Sequence, residues 1–337
     1  MKDKDYYYIF NGSFSNYCKK FIDYKRSLGF KICEPYCHRL WDMDNLFSLH
    51  LPGQNKLSIT KDMAEAYVSL RGNESTKTQH LRMSTIRQFA LFMNRIGFDF
   101  YVYPKTAFVG IKEDFIPYIL THDEISRLAD ILDHIPYSAR YPRCHLIYPM
   151  LFRLLYGCGL RLNEALSLKI CDMDMEKGII VLSNTKNQGQ RLIPMSVSLH
   201  RYCRHYISKM NFGNKYESCL FPSDYKDSLY RERLGGGTAY QRLRQFMKKA
   251  SIHKEDGRIP RVHDLRHTFA VHSLEKMVSE GRDIYCALPT LSTYLGHRGI
   301  ESTEKYLRLT QESFRSIISG MESYYGDLFP EVCHDET

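Results

Sequence analysis

Apolar residues in the first hundred positions recur every three or four residues, which is the spacing of one face of an α-helix. Four such stripes predict four helices, and a glycine that suits a helix end follows each of them, at Gly29, Gly53, Gly72 and Gly97. The fourth stripe consists of Leu81, Thr85, Phe89, Phe92 and Ile96. The pattern predicts an N-terminal helical domain over residues 1–103.

The helical spacing disappears after this domain. Pro104 and Gly110 interrupt the chain there, so residues 104–118 are predicted to form a linker. The chain beyond the linker, residues 119–337, is predicted to be a second domain.

The second domain combines helical and strand patterns. Thr121 and Glu124 have the spacing of a capping box, which predicts a helix start at 122. Short apolar runs separated by turn residues predict strands, with Lys186 at the tip of the last hairpin. The strands are predicted at 168–173, 178–182 and 190–194, and the helices at 122–133, 145–157, 196–210, 238–250, 263–279, 289–295, 302–309 and 310–324. The predicted fold class is mostly α with a small β-sheet.

The charge of the chain favours a polyanionic partner. The formal net charge is +9 at pH 7, and basic residues concentrate on the later N-terminal helices and on the helix with the sequence YQRLRQFMKKA (240–250). A solvated helix face is the alternative interpretation of both segments. The candidate DNA-binding residues are Lys77, Arg82, Arg87, Arg242, Arg244, Lys248 and Lys249.

Cysteine usage and hydropathy predict a cytoplasmic protein. The ten cysteines have no regular spacing, which favours reduced thiols. The longest apolar run, 144–162, contains Arg153 and Arg161 and is too polar for a membrane span. The start of the chain lacks the apolar run of a secretory signal.

Two groups of residues resemble metal ligands, but each lacks the rest of a site. Cys33, Cys37 and His38 have no second half nearby, and His263 and His267 have no evident third ligand. No metal or cofactor is therefore predicted.

Four separated stretches contain polar residues suited to phosphate chemistry. Arg161 lies in GLRLNEALSL, Lys186 lies on the predicted hairpin, and His263 and Arg266 lie in HDLRHTFAVHSL. In LGHRGIESTEKYLR, a histidine, His297, precedes a tyrosine, Tyr306, by nine residues. Taken singly, each residue has an ordinary structural explanation, and His267 is attributed to capping or packing.

The order of these motifs resembles that of the tyrosine recombinase (phage-integrase) family over about residues 119–310. The N-terminal helices look more loosely like the family's core-binding (SAM-like) domain, and the motif region is similar to transposon-borne members. One departure is the separation of Arg266 and His297. It is longer than expected, and the extra residues fall in SEGRDIYCALPT (279–290), which is predicted to lie between helices.

The resemblance implies a site-specific recombinase or integrase that cuts and rejoins DNA without metal or ATP. Tyr306 would be the nucleophile that forms a 3′-phosphotyrosine bond, and Lys186 would protonate the leaving 5′-oxygen. His263 would help to move the tyrosine proton. Glu164 would orient the first arginine. The cations that would stabilise the transition state are Arg161, Arg266 and His297.

The resemblance also implies partners. Double-stranded DNA is the expected substrate, with a homotetramer on DNA and a monomer allowed in solution. A C-terminal helix would link protomers through an apolar stripe of Phe314, Ile317, Ile318 and Met321. The alternatives are a type IB topoisomerase, which shares the chemistry, and a catalytically silent DNA-binding regulator on the same scaffold.

Overall fold

The computed structural model describes residues 8–50, 57–69, 71–105, 116–183, 190–212, 217–223 and 232–296, together with Thr303 and Tyr306. The chain divides into two compact units, Met1–Phe115 and Ile116–Thr337. The predicted class, mostly α with a small β-sheet, is confirmed.

The first unit contains the four predicted helices. Side-chain oxygens of Thr60 and Ser75 cap the third and fourth, because each accepts a hydrogen bond from a backbone N–H of the first turn. The core of the unit is aromatic, with Phe14 edge-to-face against Phe47 and Phe89. The helices are α1 (Ser15–Ser27), α2 (Glu34–His50), α3 (Lys61–Val68) and α4 (Thr76–Arg95).

The buried face of α4 differs from the predicted stripe. The two ends of the predicted stripe, Leu81 and Ile96, are each 45% exposed, whereas Met83, Ile86 and Met93 are buried. Hydrophobic spacing alone did not identify this face, because the buried side also includes a charged side chain.

That side chain is Arg82, and its prediction as a DNA contact is wrong. Arg82 is 2% exposed, and its Nε donates to Glu74 Oε1 at 2.9 Å while Nη2 donates to the Ser69 carbonyl at 2.9 Å. The guanidinium thereby ties the α3–α4 connection to α4 and is not accessible to a phosphate. By contrast, Lys77 is exposed, and Arg87 is partly buried and donates to the Tyr103 carbonyl.

The second unit is built around one apolar helix, which packs against four others. The helices are α5 (His122–Asp133), α6 (Cys144–Gly157), α7 (Leu162–Leu166), α8 (Val197–Met210), α9 (Gly236–Lys249), α10 (Asp264–Ser279) and α11 (Ile284–Leu295). The central helix is α6, which contacts α5, α7, α8 and α10. The capping box predicted at Thr121 and Glu124 is present at the start of α5.

A small antiparallel sheet completes this unit. Its order is β1 (Met173–Asp174), β2 (Ile179–Leu182) and β3 (Arg191–Pro194), and Ile180 pairs with Met173 on one side and Ile193 on the other. The first strand is much shorter than the predicted 168–173. Residues before it pair elsewhere, since the Leu168 carbonyl accepts from Leu220 N–H and the Ile170 N–H donates to the Ser218 carbonyl.

The segment 279–290, which was predicted to lie between helices, does so only over residues 280–283, because α11 begins well before the predicted 289. Helix α11 begins at Ile284, and the Asp283 carboxylate caps it by accepting from Tyr285 N–H at 2.8 Å and Cys286 N–H at 3.2 Å. Pro289, which marked the predicted start, lies inside the helix. Only residues 280–283 connect α10 to α11.

Several predicted features lie outside the described residues. These are most of the linker, the hairpin tip with Lys186, the residue His297, and the helices at 302–309 and 310–324 except for Thr303 and Tyr306. Within the described part of the chain, the helices are too short or too polar to cross a membrane.

Candidate active site

Glu164 is the centre of the candidate site. It lies in α7, whose first turn follows Arg161 in an extended conformation. The Arg161 backbone N–H donates to Glu164 Oε2 at 3.0 Å, and its guanidinium Nη1 donates to Oε1 at 2.6 Å. The carboxylate therefore holds both the backbone and the side chain of the first arginine.

Arg266 connects the second motif to the first. It is 2% exposed, and its guanidinium donates to the carbonyls of Gly159 and Leu295, each at 2.6 Å. It also lies 3.9 Å from Glu164 Oε2. Gly159 has φ +60°, and a side chain there would overlap Phe269. A glycine is needed because this turn must present its carbonyl to the arginine.

Arg191 is a site residue that sequence reasoning missed. It opens β3, its side chain is 9% exposed, and its Nη2 donates to Glu164 Oε2 at 3.2 Å. Its Nη1 donates to the Leu295 carbonyl, and a side chain at Gly296 would clash with the guanidinium. Strand alternation could have identified Arg191, because side chains two positions apart lie on the same face of a strand. Ile193 is a core residue, so Arg191 lies on the face that is turned towards the core.

Positive charge exceeds negative charge in this cluster, because Arg161, Arg191 and Arg266 share the single carboxylate of Glu164. Burial tends to raise the pKa of Glu164, but hydrogen bonds from Arg161 and the charge of Arg191 outweigh it and hold that pKa below its ordinary value. Burial and the charge of Arg161 lower the pKa of Arg266 to about 10, so it remains protonated at neutral pH. The surplus charge suits a phosphate anion.

His263 lies at the edge of this positive cluster. Burial of the ring, followed by the charges of Arg266 and Arg161, lowers the pKa of His263 to about 4, although the residue as a whole keeps an exposed edge. It is therefore neutral at physiological pH. Its turn is anchored by the Asp264 carboxylate, which is buried and accepts from the Arg261 backbone N–H at 2.9 Å.

Tyr306 lies inside the second unit, where it is 2% exposed and packs with Ala270 and Leu295. Its hydroxyl is 3.0 Å from His267 Nδ1. Burial raises the pKa of Tyr306, and the charges of Arg266 and Arg161 act in the opposite direction. The structure thus brings together Arg161, Glu164, His263, Arg266 and Tyr306, and it adds Arg191 and His267.

His267 contacts the Tyr306 hydroxyl, although it was predicted to have only a capping or packing role. It follows Arg266 in the first turns of α10, and its ring is edge-on to His263 with centroids 4.8 Å apart. The signal that could have found it was present in HDLRH, where positions i and i+4 share a helix face.

The four candidate DNA-binding residues on α9 differ in their surroundings. Lys248 and Lys249 are exposed, whereas Arg242 stacks over the Tyr141 ring at 4.4 Å and Arg244 Nη2 donates to the Ile259 carbonyl at 3.2 Å. The opposite face is buried through Leu243, Phe246 and Met247, as predicted. The lysines are therefore more accessible to a phosphate than the arginines.

Known proteins are similar to this chain in sequence. The chain is 28% identical to y4rB of Sinorhizobium fredii over 326 residues, which cover 94% of this chain and 99% of that protein. It is 26% identical over 266 residues to tyrosine recombinase XerD of Oceanobacillus iheyensis, covering 78% of this chain and 82% of XerD.

Two solved structures share the fold. XerH recombinase bound to palindromic difH substrate in a post-cleavage complex aligns with a TM-score of 0.63 and 19% identity, covering 85% of this chain and 78% of that one. The Tn1549 transposon integrase in complex with transposon right end DNA aligns with a TM-score of 0.60 and 17% identity, covering 91% and 98%. The sequence profile described as the Phage integrase family matches residues 119–313, more than half of the chain. The chain therefore belongs to the phage integrase family.

Proposed function

We propose that this protein is a site-specific DNA recombinase that cuts and rejoins strands through a phosphotyrosine at Tyr306. The observation that carries this proposal is the position of the Tyr306 hydroxyl, which hydrogen-bonds to His267 and interacts with the charges of Arg161 and Arg266. A tyrosine beside two guanidinium groups and an imidazole has the groups that phosphoryl transfer needs.

The reaction is a transesterification. The Tyr306 oxygen attacks the phosphorus of a DNA phosphodiester, a bond to that oxygen forms, and the bond to the 5′-oxygen breaks. The tyrosine proton passes to a nearby base, and the leaving oxygen takes a proton, a role that the family resemblance assigns to Lys186. Attack by the 5′-hydroxyl of a partner strand reverses these steps. One phosphate ester replaces another throughout, so ATP is not required.

The arginine cluster would stabilise the transition state. Extra negative charge develops on the nonbridging oxygens, where a preorganised cation acts most strongly. Arg161 is suited to direct contact because its side chain is 28% exposed, whereas Arg266 would reach the phosphate from a buried position. His297 would add a donor, as the resemblance implies.

His267 is the first candidate for the base that accepts the tyrosine proton, because its Nδ1 lies 3.0 Å from the hydroxyl. We expect His267→Asn to lower the cleavage rate about 100-fold near neutral pH. The loss should shrink as the pH rises towards the range where the phenol ionises unaided. Cleavage rates measured across pH test this, with the exposed His253→Asn as the control.

The comparison with His263→Asn decides between the two histidines. If His267→Asn cleaved at the parent rate while His263→Asn did not, His263 would be the base, as the sequence first indicated.

Arg191 would act as a positioning residue. We expect Arg191→Lys to lower the cleavage rate about tenfold, because an ammonium keeps the charge but cannot span both Glu164 and the Leu295 carbonyl. The loss should appear in the single-turnover rate and not in DNA affinity. Arg201→Lys, at an exposed position of α8, is the control. An equal loss of affinity and rate would instead indicate a direct DNA contact.

The proposed substrate is double-stranded DNA, and the proposed active assembly is a homotetramer on DNA. The first unit would serve as the core-binding domain. The exposed lysines Lys77, Lys248 and Lys249 are the best-placed phosphate contacts among the described candidates. Neutralised phosphates release counterions, so affinity should fall steeply with salt.

The decisive experiment traps the covalent intermediate. Selection from random duplexes first identifies the preferred site, and a duplex of that site nicked near the cleavage position then prevents religation. A protein–DNA adduct that survives denaturation is the expected result, together with exchange on plasmids carrying paired sites. Adducts with plasmid relaxation but no exchange would indicate a topoisomerase. Site binding with no adduct would indicate a regulator.

A further inference from the structure

A second cluster of functional side chains lies on the same helix as the candidate site but further along it. His272 and Glu275 are three positions apart on α10, and His122 is the first residue of α5. One ligand atom from each of the three residues lies within 4.8 Å of the others. Within the described ranges, this is the one group of three or more metal-ligating side chains in such proximity.

The cluster faces a surface cavity of about 560 Å³ that Tyr156 and Lys276 also line. The rings of His122 and His272 are 4.0 Å apart at their centroids and tilted by 31°. The Tyr156 hydroxyl is 2.9 Å from His272 Nδ1. The two rings would have to rotate apart for their in-plane nitrogen lone pairs to meet one ion at the mouth of this cavity.

The donor set is that of a zinc site. Two imidazoles and one carboxylate form a common three-ligand set for Zn²⁺, with a fourth position for water. Bond lengths of about 2.0–2.2 Å place tetrahedral ligand atoms roughly 3.4 Å apart. Closing from 4.8 Å requires each atom to move by less than about 1 Å, which side-chain rotation can supply because His122 is exposed and Glu275 is partly exposed.

We propose that His122, His272 and Glu275 bind a Zn²⁺ ion that joins the start of α5 to α10. The ion would take no part in the transesterification at Tyr306, which is proposed to proceed without metal. Its effect would reach the catalytic centre only through α10, whose first turns hold Arg266 and His267. The capping box at Thr121 already fixes the backbone beside His122, so the ion would join two elements that are each well ordered.

Zinc binding to the full chain tests the proposal without any DNA substrate. The protein is prepared without a polyhistidine tag and dialysed against a chelator, and Zn²⁺ is titrated in by calorimetry. We expect one ion per chain in this site, with affinity lowered at least about tenfold in His122→Ala and in Glu275→Gln, because each loses a ligand. His253→Ala, which removes an exposed histidine elsewhere, should bind like the parent.

Thermal unfolding with and without Zn²⁺ provides a second readout. The ion should raise the Tm of the parent and of His253→Ala but not of the two ligand variants, because a ligand that binds the native state stabilises it. Equal binding and equal Tm shifts in all four proteins would overturn the proposal. So would the absence of micromolar binding by the parent, or binding abolished by Cys33→Ser and retained in the ligand variants.

Discussion

Replacing Tyr306 by Phe is expected to abolish covalent attachment to DNA and leave binding to the recombination site intact. The ring is 2% exposed and packs in an apolar cluster with Ala270 and Leu295, so Phe preserves the packing. The change removes the hydroxyl, which is both the proposed nucleophile and the partner of His267. Adduct formation should fall by at least about 1000-fold, to background.

The nicked duplex that traps the intermediate measures this loss, and gel-shift titration measures binding. Tyr206→Phe is a matched control, because Tyr206 is also buried in the second unit and its hydroxyl donates to the Leu220 carbonyl at 2.6 Å. That variant loses one hydrogen bond, worth about 1 kcal/mol, and should form adducts fully. An adduct from the Tyr306→Phe protein would place the nucleophile at another residue.

Local signals predicted most of the secondary structure. The capping box at Thr121 and Glu124 located the start of α5 correctly, and glycines located the ends of α1 and α4. The motif order also predicted that Arg161, Glu164, Arg266 and Tyr306 belong together, although they are far apart in sequence. These features depend on backbone chemistry or on residue order, both of which a sequence displays directly.

Buried charges were the main source of error. Arg82 was predicted to bind DNA, and Arg191 was overlooked, because an arginine is ordinarily a surface residue. Each instead pairs with a glutamate outside its own helix or strand, Glu74 for Arg82 and Glu164 for Arg191, and each also donates to a backbone carbonyl. Such a partner becomes visible only after the elements have packed, so composition and periodicity could not identify it.

The helix α11 shows a different limitation. This helix was predicted to begin only at 289, which is a proline, a residue disfavoured in helix interiors. The Asp283 cap begins the helix five residues earlier and the proline is accommodated within it. The chain between Arg266 and Leu295 is consequently helical over most of its length. Arg266 contacts Leu295 directly, because the guanidinium groups of Arg266 and Arg191 both donate to the Leu295 carbonyl.

Glu164→Gln is expected to have the second largest effect, because one carboxylate serves three guanidinium groups. The amide keeps the shape of the side chain but removes its charge, which leaves the buried Arg191 and Arg266 without a counterion. Loss of one partner from a buried ion pair should destabilise the native state by about 3 kcal/mol. Cleavage should fall about 100-fold as well, because Arg161 and Arg266 lose their fixed positions.

The pH dependence of unfolding distinguishes this charge effect from a loss of packing. The pKa of Glu164 lies below its ordinary value of 4.5 in the folded state. Its stabilisation is therefore complete above about pH 4.5 and is lost as the pH falls through the folded pKa. The free energy of unfolding of the parent should decrease in this acidic range, and that of Glu164→Gln should decrease less, so that the two curves converge.

Glu217→Gln is the matched control, because Glu217 pairs with Lys169 on the surface, where both side chains are exposed. Exposed pairs contribute little to stability, so this variant should unfold and cleave like the parent. A constant difference between Glu164→Gln and the parent at every pH would show that packing, and not charge, accounts for the loss. Equal cleavage by Glu164→Gln and the parent would show that the arginines hold their positions without the carboxylate.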